Sequence, residues 1–148
     1  MREILFRAKT VKNVHWIWGD LFHAGTEPSD GEFAISYWDD EDGWMNENIQ
    51  PGTIGQFTGL LDKHGKRIFE GDIVECVSWN ENFSKDGKPM EPFRRKMFVD
   101  YRKGGFKMVE PMPEPMKDNE WDIICNGDIV IIGNIYDDPQ LIDMKRLG

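Results

Sequence analysis

Asp62 and His64 stand two residues apart in the turn Asp62-Lys63-His64-Gly65, and His15 and His23 lie on either side of Asp20. A carboxylate beside an imidazole is the minimal apparatus for moving a proton, so general acid–base chemistry would start here. Nothing completes these pairs. No nucleophile elbow or phosphate-cradling glycine loop occurs, and neighbouring positions in a turn seldom orient a base. The three histidines are scattered, and Cys76 and Cys125 form no Cys-x-x-Cys pair, so a zinc site lacks ligands at workable spacing. Asp39-Asp40-Glu41-Asp42 is the densest carboxylate run. It lacks the alternating oxygens and distal glutamate of a calcium loop and reads as a solvated hairpin tip. The expectation is a protein that is not an enzyme and uses no metal or cofactor.

Two other groups of residues suit binding. Between 85 and 107, eight basic residues face only Asp86, Glu91 and Asp100, and Phe93, Phe98, Tyr101 and Phe106 are interleaved with them. Basic and aromatic residues in alternation are what single-stranded nucleic acid meets, with Arg94, Arg95, Lys96, Arg102 and Lys103 as contacts. The same pattern describes an ordinary hairpin with a charged outer face. A net charge of −9 opposes a general grip on phosphate backbones, so nucleic acid is the weaker reading. Acidity also suggests a DNA-mimicking decoy, but the carboxylates cluster at 39–42 instead of spreading along a face. The second group is aromatic: Trp16, Trp18 and Trp44 pack in the core or form an exposed contact platform.

These residues must be positioned by short strands. The stretch 53–74 reads strand, turn, strand, turn, strand, with a break at Gly59, a polar turn at 62–65 and a second turn at Glu70-Gly71 before Ile73-Val74. Upstream, 1–23 reads as two strands around a Thr10–Asn13 turn, with Gly19-Asp20 as a bulge or turn. A single short strand, 33–38, stands between 24 and 51. Downstream, Gly104-Gly105 turns one strand into the next, and the prolines of 108–120 make an extended loop. Trp121 to Gly133 reads as a strand pair broken at Asn126-Gly127. Asp137 or Asp138 caps a short helix starting at Pro139, with Leu141, Ile142 and Met144 on its apolar side.

The fold class is therefore mainly β: a small barrel-like arrangement, or two lobes of antiparallel sheet, ending in a short helix. One domain spans 1–148, divisible into an N-terminal lobe of about 1–50 and a C-terminal lobe of about 52–148. No apolar run approaches a membrane span, the opening residues do not form a signal peptide, and buried free thiols at Cys76 and Cys125 suit a reducing cytoplasm.

Three segments in this order resemble the YopX-like family of bacteriophage and prophage proteins. They are MREILFRAKT with Trp16-x-Trp18-Gly19-Asp20-Leu21, then IGQFTGLLDKHGKRIFEGDIV at 54–74, and IGNIYDDPQL at 132–141. The resemblance covers about a third of the chain directly and leaves 80–120 unmatched. It implies a small, mainly β protein encoded by a phage or integrated element, acting in the cytoplasm of the bacterial host, with no established activity. Gly55, Gly59, Gly65, Gly71 and Gly133 match as turn glycines, and Asp72 and Asn134 as turn or cap groups. The function expected is a non-enzymatic protein-binding or assembly module. It would self-associate through edge strands or dock on a host or phage protein, away from membranes. Nucleic-acid binding through 85–107 is the alternative.

Overall fold

The computed structural model describes residues 2–27, 31–78, 93–123 and 128–142. Two compact units divide the chain, Met1–Gly59 and Leu60–Gly148. The strands are β1 (Phe6–Lys9), β2 (Trp16–His23), β3 (Phe33–Asp39), β4 (Gly43–Ile49), β5 (Gly55–Leu61), β6 (Arg67–Phe69), β7 (Asp72–Ser78), β8 (Phe93–Arg102), β9 (Gly105–Glu110), β10 (Asn119–Asp122) and β11 (Ile129–Asn134). They form antiparallel sheets of order β4-β3-β2-β1-β5-β6 and β10-β9-β8-β7-β11. Neither sheet closes into a barrel, so the two-sheet form of the expected fold is the one adopted.

In the first unit, alternate residues face inward as the pleat requires. Ala8, Ile17, Ile35 and Ile49 form its core, with Phe6, Leu21, Phe33, Tyr37 and Ile54 packed against them. Two expectations fail here. Gly19-Asp20 is neither bulge nor turn, because β2 runs through it, pairing with β1 up to Gly19 and with β3 from Asp20. Glycine is needed for a different reason: a Cβ at Gly19 would lie 2.1 Å from the Ser36 carbonyl oxygen. The segment 24–51 also contains a second strand, β4, folded back on β3 in register Asp39↔Gly43. The acidic run is the turn of this hairpin. Asp39 Oδ1 accepts the amides of Glu41 and Asp42, each at 2.9 Å, and Gly43 takes φ +75°, the left-handed bulge that closes a three-residue loop.

In the second unit, Ile73-Val74, Met97-Phe98-Val99 and Met108-Val109 are adjacent buried residues on the central strands, so both faces of the sheet are covered. One face joins Val74, Met97, Val99, Met108 and Ile129 to Ile68. The other joins Ile73, Phe98 and Val109 to Ile142. The strand pair expected from Trp121 to Gly133 does not exist. β10 pairs with β9 and β11 pairs with β7, which puts the two strands on opposite edges of the sheet. Asn126-Gly127 and Cys125 lie outside the described residues. Gly59 does not break its strand, since β5 continues to Leu61. The C-terminal helix is one 3-10 turn, Pro139–Leu141, with no side-chain cap. The Asp138 carboxylate instead accepts the Asn134 amide at 3.1 Å. Met144 lies outside the described residues.

Candidate functional site

The acid–imidazole pairs resolve into structural contacts. Asp62 is buried, and its carboxylate accepts the backbone amides of His64 (2.8 Å), Lys66 (2.9 Å) and Ile131 (3.1 Å). Burial pushes this carboxyl up, but the three amide donors outweigh burial and hold it below the usual carboxylate range. Asp62 therefore anchors the 62–66 turn. His23 stacks against Phe33, with ring centroids 4.7 Å apart.

His15 is the more informative case. Thr10 Oγ1 lies 3.1 Å from its Nδ1, and its Nε2 lies 3.6 Å from Glu47 Oε2, a hydroxyl–imidazole–carboxylate chain. The hydroxyl is not available as a nucleophile, because Thr10 is fully buried and donates to the Lys12 carbonyl at 2.9 Å. The carboxylate is also shared. Glu47 accepts the Tyr37 hydroxyl at 2.6 Å, and that bond pushes Tyr37 ionisation up to about 12. The cluster pins the β1–β2 loop, in which Asn13 and Val14 adopt positive φ, to the β3–β4 hairpin. Among the described residues, no group of three or more His, Cys, Asp or Glu side chains is placed to hold a metal ion.

The basic segment forms a hairpin, β8–β9, whose charges are largely answered by carboxylates. Arg94 pairs with Glu75 at 2.8 Å, Arg95 with Glu110 at 3.4 Å, and Lys107 with Asp122. Arg102 reaches Asp100 (2.9 Å), Glu120 (3.2 Å) and Asp118 (3.4 Å), while Lys103 pairs with Glu120 at 3.0 Å. Arg95 also lies over the Trp121 ring, 5.2 Å from its centroid. Hydrogen bonds from Lys103 and Arg102 lower the Glu120 carboxyl. Lys96 is exposed and sits opposite Glu75 in the ladder. Lys85 and Lys88 lie outside the described residues. Beside Arg102, a cleft of about 610 Å3 is lined by Arg102, Lys103, Lys117, Glu114, Asp118 and Glu120 among others. Its charges balance, which suits neither a phosphate nor a cation.

The aromatic residues are arranged differently. Ile17, Ile35 and Ile49 point into the core, so Trp16, Trp18, Trp38 and Trp44 point away from it. Trp16 is covered by cations, with the Arg7 guanidinium 4.9 Å and the Lys9 ammonium 5.6 Å from its ring centroid. Trp18, Trp38 and Trp44 are 50%, 60% and 67% exposed, and Phe22 shares their side of the sheet. Trp38 and Trp44 are direct partners in the β3–β4 register and meet edge to face, 5.6 Å between centroids. Trp38 is the residue sequence reasoning missed. Its signal was available: Trp38 and Trp44 stand symmetrically about the Asp39–Gly43 turn, so a hairpin there must place them side by side.

Comparison with known proteins follows the fold. A family model described as YopX protein matches residues 5–143. No curated protein matches the sequence. The crystal structure of protein EF1440 from Enterococcus faecalis is similar over 97% of this chain and 100% of its own, with a TM-score of 0.52 and 20% identity. That likeness concerns the fold alone.

Proposed function

The chain belongs to the YopX family, and from that premise we propose that it is a non-enzymatic protein-binding module whose docking surface is the outer aromatic face of the β2–β3–β4 sheet. One observation carries this reading. Trp38 and Trp44, the largest side chains available, stand exposed as an ordered pair beside the carboxylates of Asp39–Asp42. Trp is enriched at interfaces because it contributes much buried area with few rotors to fix, and soluble surfaces seldom spend several together without a partner. The acidic turn favours a protein partner with an apolar centre and a basic rim. A phage- or prophage-encoded protein working on a host or phage partner in the bacterial cytoplasm fits this surface and the free thiol of Cys76. Nucleic-acid contact through Arg94, Arg95, Lys96, Arg102 and Lys103 is weakened by the ion pairs that four of the five already make.

The test is affinity capture from host cells expressing the element, comparing wild type with the W38S/W44S double variant. A discrete partner is expected with wild type and should be lost with the variant, because each central Trp typically contributes about 2 kcal/mol or more to a protein interface. An identical captured set from a folded variant would refute the reading.

A further inference from the structure

Sheet edges invite pairing, and three of the four edges here are short or closed among the described residues. β6 has three residues and β10 has four. β11 is sealed from outside: its Ile131 amide donates to Asp62 Oδ2, and its Ile129 carbonyl accepts the Lys63 amide at 2.8 Å. β4 is different. It has seven residues, with no proline or lysine to blunt it and, past Gly43 at the turn, an unbroken register with β3. At its far end the Val11 amide donates to the Asn48 carbonyl (3.0 Å) and the Gln50 amide to the Lys9 carbonyl (2.8 Å), around the Thr10↔Ile49 bridge. No other described residue pairs with this edge.

Those two bonds fix the direction of every amide along β4. Asn48 and Gln50 turn their backbone groups away from β3, so Asn46 and Trp44 do as well, while Met45 and Glu47 bond to β3. The free edge thus offers the N–H and C=O of Trp44 and Asn46, placed symmetrically about Met45. Such an edge is its own complement.

We infer that β4 pairs antiparallel with β4 of a second copy of this chain, the two-fold axis passing through Met45. This deepens the protein-binding reading and rests on it. Trp44 of each copy then faces Asn46 of the other and exchanges two backbone hydrogen bonds with it, four in all. The same register sets Met45 against Met45 and Gly43 against Glu47, so no like charges meet face to face. It also carries the Asp39–Asp42 turn of each copy toward Val11-Lys12 of the other, where Lys12 supplies the opposite charge. Because the axis is perpendicular to the sheet, both Trp38–Trp44 pairs end on one continuous face, which doubles the docking surface and gives it avidity.

Five paired residues make a small interface, so association is weak and concentration-dependent. Each chain carries −9, so salt strengthens the dimer by screening that repulsion. Light scattering of the full chain from micromolar to millimolar concentration, in low and 0.5 M salt on the order of the screening regime, should show the mass rising from 17.2 kDa toward twice that value. N46P removes only an outward amide, which an edge strand tolerates, and should remain monomeric with an unchanged melting temperature. In a C76S/C125S background, M45C chains should crosslink to one another on mild oxidation, because a two-fold through this position brings the pair close, whereas N48C chains should not. A wild type that stays monomeric throughout, an N46P variant that associates like wild type, or N48C crosslinking as readily as M45C would overturn the inference. A monomer that still captures its partner through Trp38 and Trp44 would remove the dimer and leave the protein-binding reading standing.

Discussion

Asp62 is the side chain on which the second unit should depend most. Its carboxylate holds the 62–66 turn through the amides of His64 and Lys66 and ties that turn to β11 through Ile131, 69 residues away. A hydrogen bond to a charged group contributes about 1.5–3 kcal/mol net, and three that share one buried carboxylate are not additive, so Asp62→Ala should cost about 3–4 kcal/mol. Asp62→Asn keeps one accepting oxygen for the turn but turns an NH2 against an amide, and should cost about 1–2 kcal/mol. Acid should expose the same carboxylate. Its folded-state pKa lies below the unfolded value, so the unfolded chain binds the proton more tightly. The stabilisation is therefore complete above about pH 4 and drains away as pH falls through the lower folded-state value. Urea unfolding followed by Trp fluorescence at pH 7 and pH 3 measures both effects. The gap between wild type and D62N should narrow at the lower pH, and D62A should melt roughly 10 °C below wild type at pH 7. A D62A protein within about 0.5 kcal/mol of wild type, or a gap that ignores pH, would refute the assignment of this carboxylate as the turn's anchor.

Gly19→Ala should be among the most damaging single substitutions in the first unit. The added methyl meets the Ser36 carbonyl at 2.1 Å, so β2 and β3 must separate, and a loss of about 3 kcal/mol or failure to fold is expected in the same denaturation assay. Arg102→Ala should cost about 1 kcal/mol, since water screens ion pairs at this depth, and should speed amide exchange in the 111–118 loop that Asp118 joins to Arg102. No loss of protection in that loop would mean the ion pairs follow its position instead of fixing it.

Much of the first unit was legible because its signals are local. Polar turn residues separate short strand-forming runs at 6–9, 16–23 and 33–39, each of which pairs with a neighbour in sequence. β4 was missed because Gly-Trp-Met-Asn-Glu-Asn-Ile has only one β-branched residue, and pairing with β3 overrides its weak propensity. The supposed hairpin from Trp121 to Gly133 failed for the opposite reason. An Asn-Gly signal speaks only about adjacent segments, whereas β10 and β11 find their partners in β9 and β7. The basic segment misled in the same way. Glu75 and Arg94 lie far apart in sequence, and only strand register brings carboxylates onto Arg94, Arg95 and Arg102.

That neutralisation bears on where the proposed partner would dock. Among the described residues, the second unit pairs Arg94, Arg95, Arg102, Lys103 and Lys107 with carboxylates, covers both faces of its central strands and ties β11 to the 62–66 turn. The first unit gathers its apolar core on one face, while Arg7 and Ala34 are buried on the other. Its other face keeps three exposed tryptophans, its acidic turn uses just one of four carboxylates to hold backbone amides, and its edge strand has free amides on either side of Met45. A sheet that were merely structural would gain from covering the tryptophans and blunting the edge, changes that single substitutions to lysine at Trp44 or Asn46 would supply. Retaining both at the same hairpin is consistent with a surface kept for a protein, and the W38S/W44S and N46P variants remove its two components separately.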